Sequence, residues 1–136
     1  MSNEDKYIEM LKEDIQECMK EEFLMSSRNQ VSPISVPNAL FYNPKYTQLS
    51  AGAKCLYILM LDRLVLLSAN GWFDDSETPY ICYKMDQISA DLCCTHNKAN
   101  NLITQLEAAG LITRVKIGRY RPNRYYIHNI TEDKSE

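Results

Sequence analysis

Between His96 and Gln105 the chain gathers an unusual set of hydrogen-bonding side chains: His96, Asn97, Lys98, Asn100, Asn101, Thr104 and Gln105. Carboxamides of this kind pair bidentately with adenine, and basic side chains pair with guanine or phosphate, when a helix lies in the major groove of a duplex. A second set follows. Lys116, Arg119, Tyr120, Arg121 and Arg124, with Arg114 behind them, form a basic cluster suited to phosphate contacts or to an arginine in the minor groove. Either set alone has a plainer meaning: a polar helix face is usually only solvated, and a basic hairpin tip can serve to block edge-to-edge aggregation. Their combination on one fold is what points to nucleic acid.

The elements that must position them can be read from spacing. Met85, Ile88 and Leu92 fall on one face of a short helix, stopped by the pair Cys93-Cys94. Thr95 then offers a side-chain oxygen to the first free N–H groups of a second helix, whose apolar positions Ala99, Leu102, Ile103 and Leu106 recur at i, i+3, i+4 and i+7. Gly110 closes that helix, and Leu111-Ile112 supplies the hydrophobic contact beyond it. The period then changes to two, with Thr113, Val115 and Ile117 facing one way and Arg114 and Lys116 the other. A turn at Gly118 to Asn123 leads into a returning strand from Arg124 to Asn129. Helix, turn, helix, hairpin is a winged helix-turn-helix, a mainly α fold with a small β-hairpin.

Composition bears on function through its distribution. Over 136 residues the formal net charge is −3, which argues against DNA binding if taken alone. From Thr95 to Ile130, however, six basic residues face a single acidic one, whereas the first thirty residues carry four basic against eight acidic. An acidic arm and a basic reading head are different surfaces. The five cysteines form an odd set with no CxxC pair, which fits reduced thiols rather than a disulfide framework or a zinc knuckle. Cys93, Cys94 and His96 match none of the usual ligand spacings, so no metal is expected. No signal core and no membrane-length apolar run is present, and the expected location is the cytoplasm.

Taken in order, residues 1–30 read as an acidic amphipathic helix and linker. Within it, Asn3 to Met25 spaces Ile8, Leu11, Ile15, Cys18 and Met25 like a and d positions, interrupted by Glu22. So short a helix needs something to lie against: its own domain, or a second subunit. Residues 33–130 form the winged domain and 131–136 a polar tail. Ile34 to Val36 suits a short edge strand, and Asn38 to Tyr46 a compact aromatic entry segment in which Pro44 limits helix length. Leu49 to Leu67 reads as the main buried helix, N-capped by Ser50, with Asp62-Arg63 as a polar interruption. After the turn at Asn70-Gly71 and an acidic loop, Pro79 to Tyr83 makes a short strand able to pair with the wing.

These residues resemble a known family, the amino-terminal domain of plasmid replication initiator protein A. The resemblance spans Val36 to about Asn129 and is carried by VPNALFYNPKYTQLSAGAKCLYILMLDRL from Val36, NGW at Asn70 to Trp72, LEAAGLI at Leu106 to Ile112, and GRYRPNRYYI at Gly118 to Ile127. A generic winged helix has no reason to carry the first of these. The resemblance implies sequence-specific binding of double-stranded DNA, as a homodimer, to repeats in a plasmid or mobile-element origin, with a separate carboxy-terminal domain engaging host replication proteins. The family's Ser-Arg-Pro-Thr at the turn falls on Thr95, His96, Asn97 and Lys98, so the cap is kept while His96 replaces an arginine. Lys84 stands where the family usually caps the preceding helix with threonine. The acidic helix before residue 30 lies outside the shared pattern, and the chain ends where the family's second domain would begin.

The reading is thus a non-enzymatic DNA-binding protein with no cofactor. Thr95, His96, Asn97, Lys98, Asn101 and Gln105 read or flank the major groove; Lys116, Arg119, Tyr120, Arg121 and Arg124 hold the backbone. Two alternatives stand beside it: a transcription regulator of a phage or conjugative element, and a winged helix serving protein interaction in replisome assembly. With His96 and His128 as the only histidines, and no glycine-rich phosphate loop, nothing in the chain favours catalysis.

Overall fold

The computed structural model describes residues 3–28, 36–69, 80–118 and 122–130. Among these, five helices and three strands run in the order α1 (Asn3–Ser27), α2 (Ala39–Tyr42), α3 (Ala51–Ala69), β1 (Ile81–Cys82), α4 (Met85–Leu92), α5 (His96–Ala108), β2 (Ile112–Val115) and β3 (Arg124–Ile127). A 3-10 turn at Pro44–Tyr46 follows α2, its start capped by the Asn43 side chain, which accepts from the Lys45 N–H at 2.9 Å. Of the expected edge strand Ile34 to Val36 only Val36 is described, and it lies in no strand; the rest of it, the Asn70-Gly71 turn with its loop, and the tail from Thr131 lie outside the described residues.

The start of α3 is organised as its sequence suggests. Ser50 Oγ accepts from the Ala53 N–H at 3.2 Å, and Ala53, Leu56, Tyr57, Met60 and Leu67 are buried along the helix. α5 crosses α3 closely at Gly52, where an added Cβ would stand 3.2 Å from both methyls of Leu102. Beneath this crossing the core collects Ile88 from α4, the whole apolar stripe of α5, and Ile81, Leu111, Ile112 and Tyr125 from the sheet. Tyr57 reaches across it and donates to the His128 carbonyl at 2.5 Å; burial, its largest cause, pushes the phenol up to about 12.

The helix-turn-helix has the expected stops. Cys93 takes the left-handed conformation that ends α4 (φ 52°), unusual for a residue with a Cβ. At the end of α5, Gly110 has φ +76°, its N–H donates to Glu107 O, and the Leu111 N–H reaches back to Leu106 O, each at 3.0 Å. That pair of bonds satisfies two terminal carbonyls and turns the chain into β2.

The three strands form an antiparallel sheet in the order β1-β3-β2, so the segment before the helix-turn-helix does pair with the wing, Ile81 opposite Tyr125. The hairpin keeps the alternation read from the sequence, and the fold decides which side faces inward. Ile112 is buried and Arg114, although charged, points to the same side, towards α5, while Thr113 and Val115 are exposed. Strand alternation is kept, but the guanidinium takes the inner face because α5 provides acceptors for it there.

α1 docks by the face that its sequence does not favour. Its one buried residue is Leu24, Phe23 packs half-buried against the core beside it, and the rest of the contact is polar. Arg63 is buried in α3 and donates from Nη1 to Glu21 Oε1 at 2.9 Å and to the Cys82 carbonyl at 3.2 Å, with its guanidinium 4.1 Å from the Tyr83 ring centroid. Glu21 also accepts from Gln87 Nε2 at 2.7 Å, and Arg28 pairs with Asp91 at 2.9 Å. What reads as a polar interruption at Arg63 is the socket for α1. Tyr7, Ile8, Met10, Leu11, Ile15, Met19 and Met25 remain exposed.

Candidate nucleic-acid interface

The site is built on α5. Ala99, Leu102, Ile103 and Leu106 are buried, which fixes the rotation of the helix about its axis. With that stripe held inward, Asn97, Asn101 and Thr104, spaced i, i+4 and i+7, are exposed on the opposite face. Thr95 Oγ1 accepts from the Lys98 N–H at 3.1 Å, so the cap holds the first turn that carries Asn97 and Lys98. The helix start and its polar face are therefore one rigid unit.

Residues flanking this face are tied to neighbouring elements. His96 Nε2 lies 2.8 Å from Asp86 Oδ1, joining the first turns of α5 and α4. Gln105 caps the start of α3, accepting from the Ser50 N–H at 3.0 Å through Oε1, and donates from Nε2 to Asn101 Oδ1 at 2.8 Å. Asn100 Oδ1 accepts from Arg114 Nη1 at 2.9 Å, and Arg114 Nη2 pairs with Glu107 at 2.9 Å. Arg114 is thus a brace between β2 and α5, not a free phosphate contact.

Of the basic cluster, Lys116 is exposed beyond β2 without an ion-pair partner among the described residues. Arg119, Tyr120 and Arg121 lie outside the described residues. Arg124 is placed away from α5: its guanidinium stacks 4.4 Å over the Tyr80 ring, on the sheet face opposite Tyr125, at the edge of a cleft walled by Glu13, Asp14, Glu17 and Glu21 of α1. Neighbouring Cys82 has its thiol pushed up to about 12, chiefly by burial and then by the Glu17 carboxylate, so it is held protonated and unreactive. Among the described residues, no group of three His, Cys, Asp or Glu side chains is placed to hold a metal ion.

The sequence set therefore divides. Thr95, His96, Asn97, Lys98 and Asn101 are brought together around the start of α5. Gln105 is partly committed to α3, and Arg124 stands apart. Thr104, noted in the sequence as polar but not assigned a role, completes the outward face; its i+7 spacing from Asn97 was the available signal. Thr104 Oγ1 donates to the Asn100 carbonyl at 3.0 Å, which leaves its oxygen lone pairs outward.

Comparison with known proteins bears on this geometry. The family model described as replication initiator protein A, N-terminus, matches residues 33–136. Three solved structures are similar at TM-scores of 0.62 to 0.63: an "N-Terminal domain of DNA binding protein" at 26% identity, covering 79% of this chain and 83% of that one; a "Structure of Rep-DNA complex" at 26%, covering 79% and 84%; and a "Structure of MDR initiator" at 28%, covering 80% and 86%. A search among curated proteins finds no match.

Proposed function

The chain belongs to the family of replication initiator protein A N-terminal domains, and on that premise we propose that it binds duplex DNA sequence-specifically, at repeats in the origin of a plasmid or mobile element. The observation that carries this reading is the rigid outward face Asn97, Asn101 and Thr104, set over a fully buried apolar stripe and begun by a capped turn bearing Lys98. Carboxamide and hydroxyl groups on a helix face are the chemistry of base-edge readout. Thr95, His96 and Lys98 flank that face. Lys116, Arg119, Tyr120 and Arg121 contribute backbone contacts, and Arg124 contributes least because it is stacked on Tyr80. A similar solved structure is described as a Rep-DNA complex, which supports the assignment.

The same reading has the protein act as a homodimer in the cytoplasm, without catalysis, with an acidic arm at residues 1–30, a winged domain at 33–130, and host replication proteins engaged once DNA is bound. Among the described residues, no helix is long and apolar enough to cross a membrane.

Footprinting on DNA surrounding the chain's own gene tests the proposal. An initiator protects tandem repeats. Protection of a single palindrome at a promoter would make the protein a transcription regulator. No protection, with no salt-sensitive affinity for any duplex, would leave protein interaction as the role of the winged domain.

A further inference from the structure

α1 is tied to the domain near its C-terminal end and leaves most of its apolar residues outside. Glu21, Leu24 and Arg28 hold it to the domain, while Ile8, Leu11, Ile15, Cys18 and Met25 lie exposed on the other side. The exposed set repeats in heptads, with Ile8, Ile15 and Glu22 at a and Leu11, Cys18 and Met25 at d, over about three heptads. The stripe from Tyr7 to Met25 is roughly 27 Å long, at about 1.5 Å per residue. α1 also lies outside the residues matched by the family, so membership assigns it no role.

We propose that this stripe pairs with the same stripe of a second copy, in a parallel two-helix coiled coil that joins two winged domains. The inference rests on the two-copy part of the reading above and gives it a surface.

Several observations select this occupant and this direction. Isoleucine at a with leucine at d favours two parallel strands. In the parallel register the flanking positions set Tyr7 against Lys12 of the second copy, Asp14 against Met19, and Glu21 against Ser26, with no like charges opposed. The domains impose no obstacle, because the face holding Arg63 and the face bearing Ile15 lie on opposite sides of the helix. Glu22 is the one residue that works against pairing: it brings two carboxylates together at the last a position. A charged a position weakens a coiled coil while fixing its register, so the pair forms reversibly and in one alignment.

The test uses the intact chain and three variants. Sedimentation equilibrium of the wild type gives a dimer, Ile15→Lys gives a monomer with unchanged helical circular dichroism, and Glu22→Leu tightens association roughly tenfold or more. Ile15 is 59% exposed, so the lysine leaves the monomer's fold intact. A short bis-maleimide links Cys18 to Cys18 of the second copy, and Cys18→Ser abolishes the linked species. The monomeric Ile15→Lys chain retains salt-sensitive binding to a single half-site, so loss of the dimer reads separately from loss of DNA recognition.

A wild type that remains monomeric at all concentrations overturns both the pairing and the two-copy reading, and leaves the stripe to a different protein. A dimer that survives Ile15→Lys overturns the pairing alone. Dissociation by Ile15→Lys without linkage through Cys18 overturns the parallel register.

Discussion

α1 and α5 are both amphipathic helices, and they are mounted in opposite senses. Leu106 of α5 has no exposure at all, whereas Leu11 of α1 is 44% exposed. α5 turns its apolar stripe into the core and presents amides; α1 turns charged groups onto the domain and presents leucine, isoleucine and methionine. Burial of an apolar stripe fixes a helix without regard to what its outer face carries, so α5 is free to hold any reading residues. α1 is held instead by Leu24 and Phe23 and by a few polar contacts around Arg63, which need specific partners but little area. The first arrangement is complete within one chain. The second is complete only when something covers the stripe.

The same substitution made in the two helices puts this contrast to its strongest test. Leu106→Ala should destabilise the monomer by about 3 kcal/mol, through lost burial and a residual cavity, whereas Leu11→Ala should leave the unfolding free energy of the monomer within about 0.5 kcal/mol. Urea denaturation at low protein concentration measures both. Comparable losses would mean that α1 packs on its own domain by its apolar face.

Arg63→Ala should cost about 2 kcal/mol, because the Cys82 carbonyl and Glu21 both lose a charged donor; part of the penalty is relieved since Glu21 can reach solvent. Limited proteolysis should then cut α1 while sparing α5. If both helices became sensitive together, Arg63 would be supporting the core and not the dock.

Within α5, the outward face and its flank should separate by readout. Asn97→Ala should leave stability unchanged and reduce discrimination at one base position by roughly 1 to 3 kcal/mol. Gln105→Ala should do the reverse: it loses the side-chain cap on the Ser50 N–H, lowering stability by about 1 kcal/mol with little change in the sequence bound. The smallest effect belongs to the wing. Lys116→Ala should weaken all duplexes alike and lower the logarithmic salt slope by about one.

Features set by local spacing were legible in the sequence. The Thr95 cap, the left-handed Gly110, the buried run Ala99 to Leu106 and the pairing of the segment before α4 with the wing each depend on a few neighbouring residues or on strand alternation, and each is present. What escaped depends on which surfaces meet. Nothing within five residues of Arg63 indicates that Glu21 will arrive beside it. Gln105 reads as one more exposed amide until α3 starts beneath it, and Arg114 reads as a wing charge until Asn100 and Glu107 are set across from it. Polar residues keep their options in sequence because they can be satisfied by solvent or by a distant partner, and only the assembled fold decides between these.

The most direct test of the account is selection of bound sequences from random duplex DNA at near-physiological salt, run in parallel with the intact chain and with Asn97→Ala. A reading helix in the groove enriches a defined motif for the intact chain, in two half-sites, and for the variant the same motif relaxed at one symmetric position. Enrichment of the same motif, unchanged, by both proteins would contradict the placement of α5 in the groove, and no enrichment by either would contradict sequence reading altogether.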